Sequence, residues 1–170
     1  MPSFGSEQTL AEIGRWYDAV AEVLVPLQWP AGPIVAVHVD NEMGYHFQSH
    51  AFAMDYAPGT LAQWSQFVAA RYPTTSDLQA AYGEAWSDPL LVPAPRDGRD
   101  QPERRRLDWV RFREQHRRDS LSTLAQMQRD RGFTVVQGHN DYPRRTTPLD
   151  QGALEKNGAD GMPAGDVYPT

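Results

Sequence analysis

The sequence contains no cysteine. This excludes disulfide bonds and cysteine-ligated metal ions, but it fits a reducing and an oxidising compartment equally well. No stretch approaches the roughly 18 apolar residues of a membrane-spanning helix, and residues 1–8 lack the basic region and apolar run of a secretory signal. We therefore expect neither a membrane partner nor export, and a cytoplasmic location is the default expectation.

Positive charge is also in short supply, since 16 Lys and Arg residues face 22 Asp and Glu residues and the net charge is -6. Binding to nucleic acid needs a basic surface, so this balance argues against a nucleic-acid partner. The arginine run at residues 104–106 is the one local exception, and we interpret it as the solvated start of a helix. With 40% hydrophobic and 22% charged residues, the composition is that of a globular protein rather than a disordered one.

The 170 residues can bury one sizeable core, but a complete (β/α)₈ barrel typically takes about 250 residues. Hydrophobic periodicity and Pro or Gly breaks predict helices at residues 7–27, 60–72, 76–82 and 103–131 and strands at 33–40, 133–138 and 165–170. The segment 87–102 contains four prolines and is predicted to be a long surface loop. Four tryptophans in the helical patterns are expected in the core: Trp16, Trp64, Trp86 and Trp109.

Strands that alternate with helices predict a parallel sheet with helices packed on it, in either an open sheet or a closed barrel. Polar residues gather at or just after the end of each predicted strand, at 40–42, 139–142 and 166–168. A barrel places its active site at these strand ends, and an open sheet also binds ligands there. No Gly-rich phosphate turn follows the first strand, which removes the commonest open-sheet alternative.

The most informative stretch is the first strand and its end, residues 35–42. Alternation sends its three valines to the face that helices would cover, and it sends His38, Asp40 and Glu42 to the other face. A row of polar groups on an inward face is costly unless the groups are paired or used. The alternative interpretation is a strand end whose acids simply face water.

The residues 32–45, Gly-Pro-Ile-Val-Ala-Val-His-Val-Asp-Asn-Glu-Met-Gly-Tyr, resemble the fourth strand of clan A glycoside hydrolases. The likeness is greatest to β-galactosidases of families 35 and 42, and it continues through the Arg-Tyr at 71–72 and the Leu-Gln-Ala-Ala-Tyr-Gly at 78–83. The resemblance implies an α/β fold, a partial (β/α)₈ TIM barrel with about strands 4 to 6 and their helices. Residues 1–170 would then be a single partial catalytic domain.

The resemblance also implies roles for individual residues. Glu42 would be the general acid/base, and Asn41 would bind the 2-hydroxyl of the sugar. A general acid must hold its proton near neutral pH, so we expect burial or a carboxylate such as Asp40 to raise the pKa of Glu42. The resemblance implies a carbohydrate partner, a β-galactoside or a related sugar, and neither a cofactor nor a metal. Substrate-binding positions at the strand ends are expected at Asn41, His38, Asp40, Asn140, Tyr142, Asp166 and Tyr168.

A retaining enzyme needs a second carboxylate about 5–5.5 Å from the first, to attack the anomeric carbon. The resembling families carry this nucleophile on the seventh strand, and this chain is expected to stop at the sixth. After Glu114 the only glutamate is Glu155, whose surroundings predict a loop or a helix turn. We therefore expect a chain that carries the acid/base but not the nucleophile, with an oligomer or a missing C-terminal part as the complement.

Two other functions fit the same residues. A metal-dependent barrel hydrolase could use His38, Asp40 and Glu42 from one strand face, together with His139 and Asp141 after the next strand. A non-catalytic sugar-binding remnant would keep part of the cleft without turnover.

Overall fold

The computed structural model describes residues 3–41, 52, 55–100, 102–140 and 163–164, with only the backbone described at 41, 140, 163 and 164. Short 3₁₀ turns follow the first helix at Val25–Leu27 and precede the last helix at Pro89–Leu91. No helix in the described ranges is long and apolar enough to cross a membrane. The helices and strands of this part, in chain order, are α1 (Glu7–Leu24), β1 (Ala36–Asn41), α2 (Pro58–Arg71), α3 (Thr75–Tyr82), α4 (Glu103–Arg129), β2 (Val136–Asn140) and β3 (Pro163–Ala164).

The three strands form one parallel sheet in the order β1-β2-β3. The connection from β1 to β2 runs through helices α2, α3 and α4, and α4 packs on β1. Helical crossovers between parallel strands are the arrangement that the sequence predicts, so the α/β class is confirmed. The predicted third strand at 165–170 lies outside the described residues.

Helix ends follow local sequence signals. The Ser6 hydroxyl accepts a hydrogen bond from the Thr9 amide and caps α1. The Thr74 hydroxyl does the same for the Asp77 amide at the start of α3, and α3 ends at Gly83 with a φ of 70°. A left-handed residue at this position closes a helix at little cost only when it has no side chain.

The larger core joins α2, α3 and α4 around Trp64 and Trp109, which are 1% and 0% exposed and meet edge to face. The Trp64 indole donates a hydrogen bond of 3.0 Å to the carbonyl of Val92, and Val92 is 2% exposed. The prediction of a surface loop at 87–102 is therefore wrong for its centre, because that segment covers the aromatic core. Trp16 is also wrongly predicted, since it is 61% exposed.

A buried carboxylate organises the polar side of this core. Asp108 accepts a hydrogen bond of 2.6 Å from Tyr72 and pairs with Arg71 at 3.1 Å and with Arg104 at 3.5 Å. Burial and the charge of Asp108 raise the pKa of Tyr82, which also donates to this carboxylate. The arginine run is thus not a simple solvated helix start, because Arg104 helps to neutralise a buried charge.

Candidate active site

The smaller core fixes the orientation of β1. Val39 is 4% exposed and packs with Tyr17 of α1 and with Leu121 and Leu124 of α4, whereas His38 is exposed on the opposite face. The predicted alternation is therefore correct at these two residues. It fails at Val35, which was expected under a helix and is 64% exposed.

The end of β1 departs from regular pairing. His38 lies opposite Gly138, and Asn41 lies opposite Asn140, so three steps along β1 match two steps along β2. The extra residue is a β-bulge, which bends a strand and interrupts its alternation. The register thus places the backbones of Asn41 and Asn140 side by side at the carboxyl ends of β1 and β2, where both residues were expected.

Two buried side chains hold the carbonyl groups of this bulge. The Gln128 amide donates to the His38 carbonyl at 3.0 Å, and the Tyr17 hydroxyl donates to the Val39 carbonyl at 2.6 Å. Burial, followed by the charge of Asp40, raises the pKa of Tyr17 to about 12, so the phenol keeps its proton and remains a donor at physiological pH. Sequence reasoning missed both residues, although Gln128 continues the spacing of Leu121 and Leu124 and so marks a polar group on the buried face of α4.

A second buried amide continues this contact into β2. Gln137 donates to the Gln128 side-chain oxygen at 2.9 Å and to the Ala125 carbonyl at 2.9 Å. Its own oxygen accepts from Arg129 at 2.6 Å. The two glutamines therefore tie β1, β2 and α4 together at the level of the bulge.

His139 was expected after the second strand, beside the polar strand ends. The structure places it within β2, where it is 1% exposed and lies on the same side as Gln137, the side that packs on α4. His38 faces the other side of the sheet. The two histidines of the alternative hypothesis, a metal-dependent hydrolase, therefore do not share a site. Among the described residues, no group of three His, Asp or Glu side chains is placed to hold a metal ion.

A cavity of about 650 Å³ lies between the first turns of α1 and the end of β1. His38 and Asp40 line it from the strand, with Glu12 and Trp16 opposite on α1. Two of the predicted substrate-binding residues therefore border one cavity, whose walls also include Tyr17, Val39 and Leu124 of the smaller core. Four predicted site residues lie outside the described part of the chain: Glu42, Tyr142, Asp166 and Tyr168.

This arrangement is a parallel sheet with helices on one face and with polar residues at the carboxyl ends of its strands, as in α/β enzymes. The sequence model of glycoside hydrolase family 42, described as β-galactosidase, matches residues 4–160. The chain belongs to this family of glycosidases, and its resemblance to clan A glycoside hydrolases is confirmed. No curated protein is found to match the chain.

Solved β-galactosidases share the fold. The enzyme from the psychrophilic Marinomonas ef1 superposes with a TM-score of 0.75 at 22% identity, covering 98% of this chain and 24% of that chain. The enzyme from the Antarctic haloarchaeon Halorubrum lacusprofundi gives 0.77 at 20% identity, with the same coverage. The enzyme from Bacillus circulans sp. alkalophilus gives 0.69 at 21% identity, with 99% and 24% covered. The chain thus spans about a quarter of the length of these relatives.

Proposed function

We propose that the chain is part of a β-galactosidase catalytic barrel, covering about strands 4 to 6 with their helices, and that it supplies the acid/base of a retaining hydrolysis. The observation that carries the proposal is the position of Asn41 and Glu42 in the sequence. Asn41 is the last residue of β1 and Glu42 follows it in the sequence, in a chain whose family match extends over residues 4–160. Residues 1–170 are proposed to form a single partial domain.

Glu42 first protonates the glycosidic oxygen as the leaving group departs, and later takes a proton from the water that releases the sugar. Asn41 binds the 2-hydroxyl, where a hydrogen bond strengthens in the transition state. His38 and Asp40, which line one cavity, contact the sugar from the same strand. The remaining proposed sugar contacts follow the next two strands at Asn140, Tyr142, Asp166 and Tyr168.

The nucleophile is proposed to come from outside residues 1–170. General acid help alone contributes about 10²–10⁴-fold, far below the 10⁶–10¹⁷-fold typical of enzymes. The isolated chain should therefore hydrolyse an aryl β-galactoside very poorly or not at all. Robust turnover by the isolated chain would contradict this, and Glu155 and Asp166 would be the first candidates to substitute.

The role of Glu42 is tested in a chimera, in which this chain replaces the matching segment of the Marinomonas ef1 β-galactosidase. Glu42→Gln is expected to reduce kcat by about 10²–10⁴-fold on substrates with poor leaving groups. Added azide should restore turnover of an activated aryl galactoside as a galactosyl azide, because a small anion needs no general base. Glu22→Gln, an exposed glutamate of α1, is the matched control and should leave kcat unchanged.

Two outcomes would contradict the acid/base role. One is full activity of the Glu42→Gln chimera, and the other is a loss of activity that azide does not restore. If the chimera binds galactose but never turns over, the sugar-binding remnant is the better function.

A further inference from the structure

The carbonyl groups of His38 and Val39 both lie in the segment where the pairing of β1 with β2 changes register. An extra residue in one strand interrupts the ladder and leaves backbone groups that need other partners. Here both partners are side chains, the Gln128 amide for His38 and the Tyr17 hydroxyl for Val39. Two helices therefore supply the hydrogen-bond donors for these carbonyl groups, in addition to the pairing of β1 with β2.

The amide of Gln128 has only one orientation that satisfies its neighbours. The His38 carbonyl needs a donor, so the nitrogen of Gln128 must point to β1, and its oxygen is left to accept from Gln137. Gln137 in turn must present its nitrogen to the Ala125 carbonyl. These linked hydrogen bonds fix the orientation of both glutamine amides. A single exposed hydrogen bond would not fix the orientation of an amide in this way.

Both side chains are buried, Tyr17 at 2% and Gln128 at 4% exposure. The bond from Tyr17 is buried and the bond from Gln128 is partly buried. A buried carbonyl that loses its donor carries a desolvation penalty. Val39 packs against the aromatic ring of Tyr17 and against Leu124. Packing and hydrogen bonding thus favour the same bulged backbone.

We propose that Tyr17 and Gln128 are positioning residues: they hold the β-bulge of β1 and so keep the backbone of Asn41 in register with that of Asn140. This inference rests on the proposed function, in which Asn41 binds the sugar. Without the bulge, regular pairing would shift residue 41 by one position relative to Asn140.

The experiment uses the whole 170-residue chain, labelled with ¹⁵N and ¹³C. Tyr17→Phe removes one hydroxyl, and Gln128→Met removes one donor while keeping the length of the side chain. In each variant, amide exchange at residues 38–41 and at Gly138 and Asn140 should become about 3- to 10-fold faster, the range expected for loss of one net hydrogen bond. Exchange at Val68, in the other core, should not change.

The chimera provides a second readout, the turnover of folded enzyme, which a purely structural role would not change. Both variants should lower kcat for an aryl β-galactoside by up to about 10²-fold, because a displaced Asn41 would lose the 2-hydroxyl contact that strengthens in the transition state. Tyr56→Phe is the matched control, because it removes a hydroxyl that donates to the Pro95 carbonyl at 2.8 Å in the other core. Gln126→Met, an exposed position on α4, is the control for Gln128.

The inference is overturned if the Tyr17 and Gln128 variants leave amide exchange at residues 38–41 and kcat of the chimera unchanged, or if they speed exchange equally in the sheet and at Val68. Failure of the proposed function looks different. In that case both variants would loosen the bulge as described, while Glu42→Gln would leave the activity of the chimera intact.

Discussion

His116 lies buried on α4, stacked on Phe112, with one ring nitrogen 2.8 Å from the Gln63 side-chain oxygen and the other 4.0 Å from Asp55. Burial, and after it the charge of Arg113, lowers the pKa of His116 to about 4 from its ordinary 6.5, although Asp55 opposes the change. The imidazole is therefore neutral in the folded chain throughout the neutral range.

This lowered pKa makes stability depend on pH. The unfolded chain binds a proton near pH 6.5 and the folded chain only near pH 4, so the contribution of His116 is complete above pH 6.5 and is lost as pH falls toward 4. Between pH 7 and pH 5 the free energy of unfolding should fall by about 2 kcal/mol through this residue. Urea unfolding at the two pH values checks it, with His116→Phe expected to remove that part of the decrease. An unchanged pH dependence in His116→Phe would contradict the assignment.

Single residues of the site divide into those that the sequence reveals and those that it hides. The Asn41 and Glu42 pair is visible because two acids and an amide end a β-branched strand, and because that pattern resembles a known family. Gln128 and Tyr17 are hidden, since periodicity tells which side chains face the core but not which carbonyl a buried donor reaches. His139 was misplaced for the related reason that a polar residue near a strand end was assumed to lie beyond it.

At the scale of elements, strand positions were predicted less well than helix positions. The second strand was predicted at 133–138 and is found at Val136–Asn140. The cause is Gln28, whose side-chain oxygen accepts from the amides of Thr134 and Val135 at 2.8 and 3.2 Å. Those amides are satisfied by a side chain instead of a neighbouring strand, so the β-branched residues there do not join the sheet.

Gln28 also donates to the carbonyl of Val25 at 3.2 Å and to that of Gly132 at 3.0 Å, and it is 6% exposed. Its hydrogen bonds therefore connect the end of α1 to the residues that precede β2. Gln28→Ala should lower the free energy of unfolding by about 2–4 kcal/mol, because several buried backbone groups lose their partners at once. Urea unfolding measures the loss, and exchange at the Thr134 and Val135 amides should become faster than in the parent.

Gln66→Ala is the control for this substitution, since Gln66 lies exposed on α2. Its effect should stay within about 0.5 kcal/mol. If Gln28→Ala is no more destabilising than Gln66→Ala, the four hydrogen bonds do not hold the entry of β2.

At the scale of the whole molecule, the prediction of a partial α/β barrel from 170 residues agrees in class with a three-stranded parallel sheet and with relatives of which the chain covers 24%. The sequence could not show which apolar surfaces are buried by contact with other parts of the structure. The helical pattern of α1 predicts that its apolar face is buried, yet Trp16 and Val23 are 61% and 62% exposed. Amphipathic spacing identifies a surface that needs a partner, but not where that partner is.

Trp16 and Val23 are seven residues apart and so lie on one face of α1, and Val35 is 64% exposed just before β1. β1 is also an edge strand of the described sheet. Exposed apolar surface beside a strand edge favours association. We therefore expect the isolated chain to self-associate as its concentration rises, with sedimentation velocity showing a shift from monomer to larger species.

A double variant, Trp16→Glu with Val23→Lys, should keep the chain monomeric over the same concentration range without a net change in charge, because two charges on that face resist burial. Leu91→Lys is the control, since Leu91 is equally exposed at 62% but lies in the 3₁₀ turn Pro89–Leu91, which packs on α2. It should associate as the parent does. A parent chain that stays monomeric, or a Leu91 variant that dissociates as completely as the double variant, would show that the face of α1 does not drive association. In the chimera the same double variant should reduce the yield of folded enzyme, because there the face of α1 is expected to meet the rest of the barrel.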